Sequence, residues 1–289
     1  MIDTGRRSWP SSSTDRRRRV NAEGAITIDT ITATVTSKDG TAIVYDRAGA
    51  GPPVVLISGG PSDRGANAEL SGLLAAHATV YSYDRRGRGD SGDTPPYSID
   101  REFEDLAAVI AEAGGPAALI GYSGTGNVAL DAAARGLPIS KLALWEPPFV
   151  VHGSRPPVPA DWGHEVDTLV KDGRRGDALA YWMTTVVGAP AEMIDGMRDE
   201  PFFRAMEPSA HLLVRDAALL RDFSLPAERL AAVEVPTLVL DGGSMPWLTE
   251  GLHELVEVMP NAEYRAVPGQ PHNLPMEVLV AEVRDFLTG

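Results

Sequence analysis

The chain has 289 residues, 43% of them hydrophobic, with no cysteine and a formal net charge of −14. The lack of cysteine removes disulfides, thiol nucleophiles and cysteine-based metal sites, and the acidic balance argues against nucleic acid and anionic lipid as partners. No apolar segment approaches the roughly 20 residues that span a bilayer, so the sequence reads as a soluble, cytoplasmic protein able to bury a sizeable core.

Residues 1–27 read as a flexible, arginine-rich tail. Six arginines against Asp3 and Asp15 give the first twenty residues a charge of +4, which leaves −18 on the rest. The stretch RRSWPSSSTDRRRR lacks the apolar core of a signal peptide, and arginines ahead of a folded body are usually solvated. From residue 28 the pattern becomes regular. IDTITATVTSK and TAIVYDRAG form a predicted strand pair around the turn Asp39-Gly40. PVVLIS (53–58) is a continuous apolar run, as a strand buried on both faces requires. A helical stretch ending near His77, a strand at 78–84 and a polar loop RRGRGDSGDTPPYS follow. Next come a helix from about Asp100 to Ala113, with Ser98 and Asp100 as candidate caps, and a strand AALIG (117–121). The helix TGNVALDAAARG stops at Gly136, and the strand KLALWEPP (141–148) is closed by two prolines.

Strands alternating with helices imply βαβ units and a doubly wound, mostly parallel sheet. The rhythm breaks after Pro148. Residues 149–232 contain helical patterns such as DWGHEVDTLVKDG, RGDALAYWMTTVV and PSAHLLVRDAALLRDF but no convincing strand. Strands return at VPTLVL (235–240) and AEYRAVPG (262–269), each followed by a helix (about 247–259 and 275–288). The reading is a core of 28–148 and 233–289 interrupted by a helical segment of 149–232.

The stretch GYSGTG (121–126) lies between an apolar strand and a helix. A phosphate-cradling loop of the G-x-x-x-x-G-K-[ST] type needs a lysine that is missing, and the dinucleotide pattern G-x-G-x-x-G has a different spacing. A sharp turn presenting Ser123 as a nucleophile accounts for more. Strand and helix nearly touch there, so small residues are needed, and the helix N-terminus supplies an N–H for an oxyanion. Gly121, Gly124 and Gly126 meet that need, whereas Thr125 stands where G-x-S-x-G places glycine.

At this point the chain resembles the α/β-hydrolase superfamily over about residues 30–288. LISGGPSD (56–63) is similar to its oxyanion loop, with Ser58 in place of the usual histidine. YDRRGRGDSGD (83–93) matches the D-x-R-G-x-G-x-S loop, in which Asp84, Arg86 and Asp90 would brace the site. GYSGTG matches the nucleophile elbow, and VPGQPHN (267–273) the loop that carries a catalytic histidine. The resemblance implies an eight-stranded sheet with the helical segment as a lid after strand 6. It also implies Ser123 as nucleophile, His272 as base, the N–H groups of Gly60 and Gly124 as oxyanion hole, and no metal or organic cofactor. A serine nucleophile points to a carboxylic ester or lactone hydrolase acting on a small apolar substrate, as monomer or homodimer. Non-hydrolytic enzymes on the same scaffold (cyclase, lyase, cofactor-free peroxidase) and an inactive binding protein are the alternatives. The aromatic and methionine side chains of the lid, Trp182 and Met183 above all, are the candidate substrate contacts.

The acid of the triad is displaced. In most of the family it follows the strand after the lid in a G-x-x-D-P pattern, but PTLVLDGGSMPW puts Met245 at that position. Two carboxylates remain as candidates. Asp241 ends that strand, and Glu146 ends the sixth strand beside the one carrying Ser123. Strand-end geometry favours Glu146, and the order Ser123, Glu146, His272 keeps the superfamily's nucleophile–acid–base sequence.

Overall fold

The computed structural model describes residues 19–20, 26–27, 29–151 and 153–289. Of the predicted tail it describes Arg19–Val20 and Ile26–Thr27, which pair antiparallel. The remainder of that tail lies outside the described residues. The apolar runs become an eight-stranded sheet: β1 Thr30–Thr36, β2 Ala42–Gly49, β3 Pro53–Ile57, β4 Thr79–Tyr83, β5 Ala117–Tyr122, β6 Ile139–Trp145, β7 Thr237–Gly243 and β8 Ala262–Gln270. Their spatial order is β8-β7-β6-β5-β3-β4-β2-β1. The strands from β4 to β8 are parallel, and β1 and β2 run antiparallel at one edge.

Side-chain alternation along each central strand feeds two separate cores. Val55, Ile57, Leu119 and Leu144 face one side, where they meet Leu106 and Ile110 of α2 (Ile99–Glu112), Leu130 of α3 (Gly124–Ala134) and Leu252 of α10 (Pro246–Val258). Val54, Leu56, Ile120 and Leu240 face the other, against Leu70 and Leu74 of α1 (Ala68–Leu74) and Leu279 and Val283 of α11 (Met276–Thr288). This double burial is why the strands read as unbroken apolar runs.

Between β6 and β7 the chain forms a helical insert with its own core, in which Trp162, Leu179, Phe203 and Leu213 are fully buried. The insert comprises α4 (Trp162–Lys171), α5 (Arg175–Tyr181), a wide π-helical turn Trp182–Val187, α6 (Ala191–Met197), α7 (Pro201–Met206), α8 (Leu213–Leu220) and the short α9 (Ala227–Leu230). Among the described residues no helix is long and apolar enough to cross a membrane.

The insert is tied to the sheet by charge as well as by apolar contact. Asp216 of α8 accepts from Arg85 Nη1 at 2.8 Å and from Arg88 Nη2 at 2.9 and 3.1 Å. Arg85 also forks onto Glu102 of α2, and Arg86 forks onto Asp105 of the same helix. Arg85, Arg86 and Arg88 are each no more than 2% exposed. Burial alone would raise the Glu102 carboxyl, but Arg85 beside it outweighs that and holds it below its ordinary value. Burial and the neighbouring Arg85 pull the Arg88 guanidinium down, against the opposing pull of Asp216.

Removing one member of a buried ion cluster strands the others without water, at a cost of about 3–5 kcal/mol. Asp216→Asn should therefore lower the free energy of unfolding by about 3 kcal/mol in a denaturant titration. A change under about 1 kcal/mol would show that the cluster relaxes or hydrates when its anion is removed.

Candidate active site

β5 ends at Tyr122, and the chain then turns into α3 within a single residue. Ser123 sits at that point with φ 52° and ψ −132°, a conformation that costs a side-chain-bearing residue about 1–3 kcal/mol. Three contacts hold it. Its N–H donates to Trp145 O at 2.8 Å, and its carbonyl accepts from Gly126 N at 2.8 Å. The third is steric: a Cβ on Gly121 would stand 2.5 Å from the Gly126 Cα, and one on Gly126 would stand 2.8 Å from Pro147 Cβ. Thr125, the departure from the glycine pattern, is accommodated. Its hydroxyl accepts from Tyr122 N at 2.8 Å and donates to Tyr122 O at 2.9 Å, and its methyl fills the space above Gly59. The extra side chain clamps the turn.

Glu146 follows β6 as Ser123 follows β5, and Tyr122 and Trp145 are register partners. It too has positive φ, 43°, which turns it out of the strand's alternation. The carboxylate is fully buried. Oε1 accepts from Gly242 N at 2.9 Å, and Oε2 lies 2.5 Å from His272 Nδ1. A buried carboxylate is an acceptor, so Nδ1 carries the proton and Nε2 keeps its lone pair. Asp241, in the equivalent place on β7, is engaged elsewhere. It accepts from Gly243 N and Thr249 Oγ1 at 2.7 Å each and from Tyr264 OH at 2.8 Å. Burial and the bond to Asp241 push the Tyr264 phenol up to about 12.

The loop carrying His272 is pinned by residues that sequence patterns did not single out. Trp145 Nε1 donates to His272 O at 2.8 Å, and Tyr122 OH donates to the same carbonyl. Burial, reinforced by the Glu146 charge, pushes the Tyr122 phenol above its ordinary value, so it stays a donor. The signal for both was their position, one residue before Ser123 and one before Glu146.

Ser123, Gly124 and His272 line one pocket together with Pro148, Trp182, Val186, Val187, Leu220, Phe223 and Met245. The pocket holds about 530 Å³ of empty space, counting its open mouth. Gly60 lies on the loop after β3 with φ 53°, and a Cβ there would meet the Trp182 ring at 3.3 Å. Its peptide plane is set from the far side, because Gly59 O accepts from both Ser62 N and Ser62 Oγ. That fixes the direction of the Gly60 N–H. Arg88 Nε donates to Gly60 O at 3.1 Å, which links the arginine cluster to this loop. Of the predicted bracing residues, Asp84 and Asp90 meet, through Asp90 N and through Arg64, which the sequence reading did not name, whereas Arg86 turns instead to Asp105 and Asp39. Of the two predicted substrate contacts, Trp182 lines the pocket and Met183 does not. Met183, the next residue along the wide turn, is partly buried against the insert's own core, which Trp182 also touches.

Comparison with known proteins agrees with this fold. Residues 54–285 match the model of the alpha/beta hydrolase family. The chain is 47% identical to an alpha/beta hydrolase of known structure from Sphaerobacter thermophilus, over 89% of this chain and all of that one, with a TM-score of 0.85. It is 25% identical to an esterase from a Rhodococcus species, over 89% and 99% of the two chains, with a TM-score of 0.64. It is also 27% identical to a non-heme chloroperoxidase from Kitasatospora aureofaciens, over 83% and 92% of the two.

The two carboxylates can be told apart by mutation. Glu146→Gln should lower kcat/KM on an active ester by about 10²–10⁴-fold with the fold intact, since the imidazole loses its orienting anion. Asp241→Asn should leave turnover within about ten-fold of wild type, because it changes only a hydrogen-bond cluster away from the pocket. The reverse order would move the acid to β7.

Proposed function

The chain belongs to the alpha/beta hydrolase family, and from that premise we propose that it is a cofactor-free serine hydrolase cleaving a carboxylic ester or lactone through an acyl-enzyme. The observation that carries this reading is the hydrogen bond from His272 Nδ1 to the buried Glu146, in the pocket that presents Ser123. Nε2 of His272 takes the proton of Ser123 as its oxygen attacks the substrate carbonyl. Glu146 stabilises the imidazolium that forms. The N–H groups of Gly124, at the start of α3, and of Gly60 receive the oxyanion, where fixed donors cost no reorganisation. His272 returns the proton to the leaving alkoxide. It then activates water against the acyl-enzyme, which releases the acid and restores Ser123.

The substrate fits an apolar wall, and the insert supplies much of it: Trp182, Val186, Val187 and Leu220. In this reading the insert acts as the lid that sets acyl or alcohol preference, while the strand ends do the chemistry. The chloroperoxidase relative favours a second reading in which hydrogen peroxide replaces water at the same acyl-enzyme and yields a peroxy acid. Both readings need the same serine, and they differ only in the second nucleophile.

A phosphonate ester should inactivate the enzyme with one equivalent bound, and peptide mass spectrometry should find it on Ser123. Ser123→Ala should abolish both labelling and p-nitrophenyl ester turnover. Labelling at another residue, or full turnover in Ser123→Ala, would contradict the reading. Peroxide-dependent halogenation that outpaces ester hydrolysis would select the second form.

A further inference from the structure

The pocket around Ser123 and His272 is walled by apolar and aromatic side chains, with one arginine among them. Arg155 comes from the segment between β6 and α4 and lines the pocket beside Val187 and Trp247. Its guanidinium carbon lies 4.6 Å from the centre of the Trp247 ring. Its Nη1 and Nη2 reach Val187 O and Thr185 O at 3.4 and 3.5 Å, long for N–H···O bonds of usual length near 2.9 Å. Gly188, with φ 89°, leaves room for it, since a Cβ there would stand 3.2 Å from Nη2.

Five other arginines, after β3, after β4 and on α8, show what a structural role looks like in this fold. Arg64, Arg85, Arg86, Arg88 and Arg215 each meet a carboxylate within 3 Å. Arg155 meets none among the described residues. Burial pulls its pKa below the ordinary arginine value with no anion to offset it. A guanidinium has five N–H donors, so two long carbonyl contacts leave it well short of satisfied, and the Trp247 face holds its plane without using a donor.

We propose that Arg155 is a specificity residue that binds a free carboxylate on the substrate, so that the preferred substrates are esters or lactones bearing a second, ionised acid group across an apolar spacer. The proposal rests on Ser123 as the nucleophile. A planar fork matches a carboxylate with two parallel bonds, and dry walls strengthen the pairing. The chain as a whole carries a formal charge of −14 and repels such an anion at long range, so selection falls to this one short contact. The competing role is a clamp that joins the π-helical turn to α10 through Trp247.

Two matched substrate pairs separate these roles. Monoethyl adipate against diethyl adipate places the charge on the acyl side, and 4-butanoyloxybenzoate against its methyl ester places it on the leaving side. In at least one pair, wild type should favour the acid by about ten-fold or more in kcat/KM. Arg155→Met should erase that preference chiefly through KM while leaving the neutral member within about two-fold, and Arg155→Lys should recover part of it. A neutral preference in both pairs, or an equal loss on both members in Arg155→Met, would overturn the proposal. A second arm needs no turnover: calorimetric titration of Ser123→Ala with 4-butylbenzoate and 4-butylbenzamide. The anion should bind about ten-fold tighter, and Ser123→Ala/Arg155→Met should lose that margin. Equal binding of the two would overturn the anion site. Absence of any ester turnover in wild type alongside Arg155-dependent anion binding would instead reject the hydrolase reading and retain the site.

Discussion

A carboxylate at zero exposure has to be answered by donors that the fold has already fixed, because water cannot reach it and an unpaired charge there would cost several kcal/mol. Glu146 is answered twice. The Gly242 N–H and His272 Nδ1 each take one oxygen, and the two donors come from the adjacent C-terminal ends of β7 and β8. Gly242 has no room for a side chain, since a Cβ would stand 2.2 Å from Gln270 O. Glu146 therefore holds the imidazole and also sets how closely β7 and the loop carrying His272 approach each other. The backbone of Trp145, just before it, accepts from Ser123 N, and the Trp145 ring nitrogen donates to the His272 carbonyl. Ser123, Glu146 and His272 are thus all referenced to one two-residue stretch, Trp145-Glu146.

A second set of interactions carries the oxyanion loop and the insert. Asp216 of α8 joins Arg85 and Arg88, and Arg88 in turn holds the Gly60 carbonyl. A movement of α8 is thereby felt at the loop proposed to bind the oxyanion. Leu220 of the same helix reaches the space beside Gly124. The insert is coupled to both proposed oxyanion donors, one through charge and one through packing, which would make its position part of the catalytic geometry.

Much of this was legible in the sequence, for reasons that differ by residue. Strands buried on both faces leave unbroken apolar runs, so β3, β5, β6 and β7 could be placed within a few residues. Ser123 was legible because a one-residue turn from strand to helix demands Gly121 and Gly126. Glu146 was the stronger acid candidate because the end of β6 lies in register with the end of β5, and the structure brings its carboxylate to His272 while Asp241 bonds to Thr249 and Tyr264. What stayed hidden depends on side-chain direction and on contacts distant in the chain. A helical pattern through YWMTT does not reveal that the helix widens there, so Trp182 and Met183 looked equivalent although only Trp182 reaches the pocket. α6 and α7 are short pieces whose apolar residues serve the insert's own core and carry no long periodicity. Arg155 lies in a proline-rich loop with no pattern around it, and only the fold places it beside Trp247. The Thr125 exception made sense only once its hydroxyl was seen bonded to the Tyr122 backbone.

The proposed chemistry turns on whether Glu146, from β6, orients His272. Proton NMR of the imidazole observes that contact itself, because an Nδ1–H shared with a buried carboxylate at 2.5 Å resonates far downfield of ordinary ring protons. One such signal is expected, absent from His272→Ala and from Glu146→Gln and retained in Asp241→Asn. A downfield signal that survives Glu146→Gln, or that vanishes only in Asp241→Asn, would contradict it.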